Sequence, residues 1–482
     1  MALVAAAFLC THAVVDPDLW GHLRFGLDAL RDGRLASIDP YSFTQDAGWI
    51  NHEWLSEVAL AIAYRAGAVV GLLLLKTVLL AGTVALLWRA SRAVREPYRW
   101  WMLAAAIVGM APAAYTMRPQ LWTLLFVPIV WAALERRTRL VAVPVLFALW
   151  ANVHGGWIVG AAVAALWTLG RAIDSRSVRA ILPETAAIAA GVLATLINPY
   201  GARLWTFLLS TVRLSRNISE WQPIWRQADP TSGLLWVFVA IAIAASPLLR
   251  DRSRRTWAGL LPVAWLGVLS LFVARLVPLF AETALLGIAA LAVRRSRGFA
   301  DVRDDFAAVR AGFADVRRSS YDPRLAIDAI AVAAVALVNL VPQSRCLPIR
   351  EPWAPDLAAA SAFESPDVRG RLVLPFNWGE YAIWHWAPRL RVSIDGRRET
   401  VYSERTIGIA AAVAHGLPDG LDFVRQARPE YVWLARPTGA AAEGWLRASG
   451  YRIDVETNAS FIATRADMTA LTVGQSKSQC FP

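Results

Sequence analysis

The chain has 482 residues, 56% of them hydrophobic and 18% charged, with mean hydropathy +0.41 and 23 tryptophans. That balance excludes an ordinary soluble protein, which would be nearer a quarter charged. The net charge of +12 does not point to nucleic acid, because the arginines fall in short runs between apolar stretches, with no basic face and no aromatic interleaving.

Taken in chain order, apolar segments able to enter a bilayer lie at residues 2–15, 68–88, 100–117, 120–135, 140–153, 156–171, 181–197, 232–249, 256–274, 279–293 and 325–342. They predict a membrane all-α fold, a bundle of about 11 transmembrane helices. The first segment reaches only about 21 Å against a hydrocarbon core of about 30 Å, so it either tilts in a thin region or starts upstream. Pro112, Pro128 and Pro144 interrupt others, which membranes tolerate where neighbours satisfy the freed backbone.

Arginine placement sets the orientation. With residue 1 cytoplasmic, the inner segments carry about 22 arginines in about 61 residues and the outer ones about 9 in about 88. This is the positive-inside bias. Within the inner loop 294–324, FADVR occurs twice, at Phe299–Arg303 and Phe313–Arg317; it predicts an amphipathic helix on the inner leaflet.

The outer loop 16–57 is the most informative stretch. It reads Asp16-Pro17-Asp18-Leu19-Trp20-Gly21-His22, then Asp39-Pro40-Tyr41-Ser42-Phe43, then Asn51-His52-Glu53-Trp54-Leu55-Ser56-Glu57. Residues 19–30 and 52–66 have the spacing of interfacial helices. Carboxylates at the end of a span are costly unless they pair, coordinate or react; capping of the following helix is the bland role for Asp18. Other outer ends add Arg118 and Gln120, His154, Glu220 and Arg275. Arginine offers permanent, bidentate contacts to phosphate, and a carboxylate can act as base or hold a divalent cation such as Mg or Mn. The set suits a lipid phosphate at the outer surface.

After residue 342 the pattern changes. Strand-like runs at 371–376, 391–394, 431–435 and 461–464 alternate with helical ones near 354–363, 403–415, 419–428 and 440–449. The chain thus divides into a polytopic domain 1–342, a small extracytoplasmic α/β domain 343–466, and a tail 467–482 expected to be disordered. A Cys346–Cys480 disulfide requires both residues to lie outside the cytoplasm.

The first-loop motifs Asp-Pro-Asp-Leu-Trp-Gly-His and Asp-Pro-Tyr-Ser-Phe-Thr, with Asn-His-Glu-Trp-Leu-Ser-Glu, resemble the C-type (GT-C) membrane glycosyltransferases. Among these they are most similar to bacterial proteins grouped with protein O-mannosyltransferases, aminoarabinose transferases and the oligosaccharyltransferase catalytic subunit. Asn377-Trp378-Gly379-Glu380-Tyr381 and Ser393-Ile394-Asp395-Gly396-Arg397 resemble that subunit's Trp-rich region, but its Trp-Trp-Asp core is absent, so peptide-sequon recognition is not implied.

The resemblance implies inverting transfer of a sugar from a polyprenyl-phosphate donor to an extracytoplasmic glycan, lipid or protein acceptor, in a bacterial inner membrane. It makes Asp16, Asp18 and Glu53 the catalytic candidates, with Asp18 as base or metal ligand. His22, His52, Arg118, Gln120, His154, Glu220 and Arg275 become the substrate-binding ones. Two other classes stand beside it. One is a transporter or flippase of a lipid-linked precursor, disfavoured by the absence of charge within the spans; the other is a non-catalytic envelope assembly protein.

Overall fold

A computed structural model of the chain describes residues 2–211, 218–251, 255–293, 323–349, 354–436, 438–474 and 479–482. The FADVR echo lies outside them. The expected apolar segments all fall on helices. The first part of the bundle comprises α1 (Ala2–Thr11), the interfacial α2 (Asp18–Asp32), α3 (Trp54–Ser91), α4 (Tyr98–Gly109), the short α5 (Ala111–Ala114), α6 (Gln120–Glu135), α7 (Ala142–Val153) and α8 (Trp157–Ser175). It continues with α9 (Leu182–Ala194), α10 (Arg203–Thr211), α11 (Thr231–Ala244), α12 (Pro247–Arg250), α13 (Trp257–Phe272), α14 (Val277–Val293) and α15 (Pro323–Arg345). By length and composition, four described helical stretches suffice to cross a membrane alone: Trp54–Ser91, Trp157–Ser175, Ala274–Ala292 and Ile327–Arg345. Five further apolar helices have 10–17 residues.

The end of α1 at Thr11 has a local cause. Its terminal carbonyls would be unsatisfied at membrane depth, but α3 and α15 supply donors. Lys76 Nζ reaches the carbonyls of Leu9 and Cys10 at 2.9 and 3.3 Å, and Thr77 Oγ1 reaches Cys10 at 3.1 Å. Gln343 accepts from the Ala13 N–H at 2.7 Å and donates to the Thr11 carbonyl at 3.3 Å. The chain can therefore leave the helix early and turn into Asp16. Lys76, and Glu282 on α14, are both buried within apolar helices, which corrects the expectation that the spans carry no charge.

Outside the bundle, helices α16 (Leu357–Ala360), α17 (Gly379–Trp386), α18 (Glu404–Ala414), α19 (Pro418–Ala427) and α20 (Ala442–Ala448) accompany a five-stranded sheet. Its strands are β2 (Gly370–Val373), β3 (Leu390–Val392), β4 (Tyr431–Ala435), β5 (Tyr451–Glu456) and β6 (Ser460–Arg465), in the order β3-β2-β4-β6-β5. β2 is parallel to both neighbours; the other pairs are antiparallel. The loop after α2 completes the edge at β3: Phe43 N–H donates to the Val392 carbonyl at 3.1 Å, and Val392 N–H to the Tyr41 carbonyl at 2.9 Å.

The tail is not disordered throughout. β7 (Cys480–Phe481) pairs antiparallel with β1 (Leu347–Pro348), and a Cys346–Cys480 disulfide joins them. Phe481 is buried against Trp20 of α2, with ring centroids 5.3 Å apart. β5 and α17 were not expected; both sit in stretches whose apolar residues follow neither a clean two-residue nor a clean helical period.

Candidate functional site

The short break after α1 places Asp16 under the start of α2. Asp16 Oδ1 accepts the Asp18 N–H at 3.0 Å, so Asp16, not Asp18, satisfies the helix start. The cap position of α2 is Pro17, and Asp18 is its first residue. Asp18 Oδ2 lies 2.9 Å from Arg118, whose Nε is 3.0 Å from Asp16 Oδ2. Arg118 stands in the loop before α6, and its remaining nitrogen is 3.6 Å from Glu220. Glu220 is shared with Arg275 at 2.8 Å, and Arg275 also donates to Gln120 at 3.3 Å.

A second group adjoins the first. Glu53 Oε1 lies 3.6 Å from His52 and 3.7 Å from His154. His22, one turn into α2, donates from Nδ1 to Glu57 Oε1 at 3.3 Å. Asn51 donates to the other Glu57 oxygen, and Trp54 Nε1 reaches Asn152 at 2.8 Å. All ten residues nominated from the sequence are therefore held in this network. Glu57, Asn51 and Thr123 were missed as members, although Glu57 follows Glu53 by one helical turn.

The His154 tautomer follows from its neighbours. Nδ1 accepts the Gly156 N–H at 3.1 Å and the Thr123 hydroxyl at 2.6 Å, while Thr123 oxygen accepts from Trp150 Nε1 at 2.9 Å. The proton is left on Nε2, facing Glu53. A β-carbon on Gly156 would lie 2.3 Å from Thr123 Oγ1 and 2.7 Å from His154 Nδ1, so the second glycine of His-Gly-Gly is a space requirement.

Electrostatics sort the group into roles. Burial pushes His154 down to about 4, against the weaker pull of Glu53, so it is a neutral donor at pH 7. For His22, burial is outweighed by the hydrogen bond to Glu57 and by Glu53, Glu57 and Asp18, which push it up to about 9; it is an imidazolium. Burial likewise opposes ionisation of Glu53, but the neighbouring cations His22 and Arg275, together with His52, hold it below the usual carboxylate range. Arg275 and Arg118 do the same for Glu220. Asp18 goes the other way. Burial and the adjacent Asp16 raise its carboxyl despite Arg118, which favours proton uptake.

Arg118 is ion-paired with Asp16, Asp18 and Glu220, while His154 is neutral. Among the described residues no three His, Cys, Asp or Glu side chains gather closely enough to hold a metal ion. Arg118 occupies the place between the two aspartates.

Between α3 and α6 lies a narrow gap of about 10 Å³, lined by Arg118 and Lys76 and by Leu60, Leu72, Leu79, Leu121 and Trp122. The bend of α3 at Gly67 and Ala68 shapes it, since Leu60 precedes the bend and Leu72 follows it. Gly71 permits the bend: a β-carbon there would lie 1.8 Å from the Ala63 carbonyl oxygen.

No family model matches the sequence, and no curated protein matches it significantly. The structure is similar to that of ArnT from Cupriavidus metallidurans in the apo state, with TM-score 0.55, 14% identity and 95% of each chain covered. It is also similar to the same ArnT bound to undecaprenyl phosphate, with TM-score 0.52, 13% identity and the same coverage. The chain therefore has an ArnT-like fold.

Proposed function

We propose that the protein is a membrane glycosyltransferase that moves a sugar from a polyprenyl-phosphate donor to an acceptor outside the cytoplasm of a bacterial cell, its bundle crossing the inner membrane about eleven times. The observation carrying this reading is the cluster of Asp16, Asp18, Arg118, Glu220 and Arg275 gathered at the ends of apolar helices. Two guanidinium groups beside a partly exposed aspartate suit a donor with a phosphate head. The neighbour with undecaprenyl phosphate bound has the same fold, and the Cys346–Cys480 disulfide supports an oxidising compartment for the outer domain.

In this reading Asp18, the more exposed of the two aspartates with 27% against 2% of its side chain accessible, takes the proton of the acceptor hydroxyl or amine. The acceptor then attacks the anomeric carbon from the face opposite the phosphate, the carbon–oxygen bond to phosphate breaks, and polyprenyl phosphate leaves. Asp16 and Arg118 hold Asp18. The His22 imidazolium, Arg275 and Arg118 meet the charge developing on the departing phosphate. Glu220 is an internal anion lying between the two arginines, and donor phosphate displaces it. His52, Glu53 and His154 order the opposite wall. No step requires a divalent cation.

The test is turnover in proteoliposomes supplied with a panel of undecaprenyl-phosphate-linked sugars and a cell-envelope extract. Release of undecaprenyl phosphate with the sugar bound to an acceptor supports the reading. Glu282 favours a second reading: fully buried on α14, both its carboxyl oxygens lack a hydrogen-bond partner among the described residues, as in transport pathways. Movement of labelled lipid without any covalent product would select transport.

A further inference from the structure

One carboxyl beside Asp18 comes from the outer domain and was not anticipated as part of the site. Glu380 is the second residue of α17 and is 3% exposed. Its Oε2 accepts the Gly21 N–H, in the first turn of α2, at 3.1 Å. Its Oε1 faces Asp18 across Gly396: a β-carbon on Gly396 would lie 2.5 Å from Asp18 Oδ1 and 2.6 Å from Glu380 Oε1. A β-carbon on Gly21 would lie 2.1 Å from Glu380 Oε2. Two glycines from separate parts of the chain thus clear the space this carboxyl occupies.

The base of α17 is set with the same closeness. A β-carbon on Gly379 would lie 2.2 Å from the Ile394 carbonyl oxygen and 2.6 Å from the Asp395 α-carbon. Tyr381, the next residue, packs its ring edge-on to Trp20 of α2 at 5.3 Å. The charged groups acting on Glu380 are Asp18, Asp395, Arg397 and Asp16. The cation among them, Arg397, is taken up by Asp39 and Asp395. Asp18 is therefore held on one oxygen by Arg118 of the bundle and bounded on the other by Glu380 of the outer domain.

We propose that Glu380 is a positioning residue for Asp18, so that the α/β domain completes the transferase site rather than merely sitting above it. This rests on Asp18 being the base. Fixing the start of α2 from the outer side sets the angle at which Asp18 Oδ1 meets an acceptor, and small misplacements of a reacting group cost rate out of proportion to their size.

The experiment uses the full chain in proteoliposomes, with G396A, E380A, E380Q and D18N, and reads turnover of an undecaprenyl-phosphate sugar separately from binding of undecaprenyl phosphate. G396A inserts a methyl group between the two carboxyls without changing any charge. G396A and E380A are expected to lower kcat by about tenfold or more while the Kd for undecaprenyl phosphate stays within about twofold. E380Q, which keeps the acceptor oxygen for Gly21, is expected to recover most of the loss. If E380A fails to fold, G396A decides. Wild-type kcat in G396A and E380A, with D18N inactive, overturns the Glu380 assignment alone. Parallel losses of kcat and lipid binding in G396A overturn it as well, by marking a structural role. An active D18N instead removes the reading beneath it.

Discussion

Arg397, just after β3, grips both carboxylate oxygens of Asp39 in the loop after α2, at 2.6 and 3.0 Å, with both side chains essentially buried. The same guanidinium holds Asp395, which also accepts from the Tyr402 hydroxyl at 2.6 Å. Phe25 and Trp49 pack against it, each ring centroid 4.8 Å away. Asp39 in turn accepts the N–H groups of Tyr41 and Ser42, which shapes the segment that joins the sheet. Removing one partner of a buried pair leaves the other charge uncompensated and costs about 3–5 kcal/mol. D39A and R397A are each expected to lower unfolding stability by that amount and to open the 343–466 region to limited proteolysis. Unchanged melting and cleavage would contradict the lock.

The two motifs that meet here, Asp-Pro-Tyr-Ser-Phe and Ile-Asp-Gly-Arg, stand out in the sequence, but their partnership spans 358 positions and no local pattern announces it. The apolar helices and the gathering of the ten polar residues were legible for a different reason. Apolar helices declare themselves by hydropathy, and polar residues at helix ends on one side of a bundle share one surface. Glu380 was hidden because α17 is apolar on nearly every face, so Gly-Glu-Tyr reads as a loop rather than the first turn of a helix. The state of Arg118 was equally hidden. Sequence shows an isolated arginine at an outer end; packing shows it already surrounded by carboxylates.

The two histidines of opposite character bound the pH range of stability. His22, pushed up to about 9 from an ordinary 6.5, stabilises the fold fully below pH 6.5, and that contribution fades as pH rises through 9. His154, pushed down to about 4, contributes above pH 6.5 and loses its share as pH falls through 4. Each limb is on the order of 3 kcal/mol. Melting temperature against pH should flatten on the alkaline side in H22Q and on the acid side in H154Q. If both variants follow the wild-type curve, neither histidine is coupled to folding.

Glu220 between Arg118 and Arg275 behaves as a stand-in for phosphate, and it is the most exposed carboxylate of the cluster, with 35% of its side chain accessible. Neutralising it removes the anion that the two guanidinium groups share. E220Q is expected to bind undecaprenyl phosphate about tenfold tighter, roughly the strength of one charge-assisted contact. Weaker binding would instead make Glu220 a direct contact to the lipid.

The disulfide joins residues separated by 134 positions, so its loss frees a long loop in the unfolded chain. C346S is expected to lower stability by about 2–5 kcal/mol and to loosen Phe481 from Trp20, which tryptophan fluorescence would report. An unchanged melting curve would mean that β1 and β7 hold without the covalent link.

The central claim is that Asp18 acts as the base of a sugar transfer at the outer membrane surface. It is tested most directly by D18N, purified into proteoliposomes beside the wild type, with release of undecaprenyl phosphate from its sugar-linked form as the readout. The amide keeps the size of the side chain, so expression, insertion and lipid binding should persist while turnover falls by roughly 10²–10⁴-fold. Turnover at the wild-type rate would contradict the account.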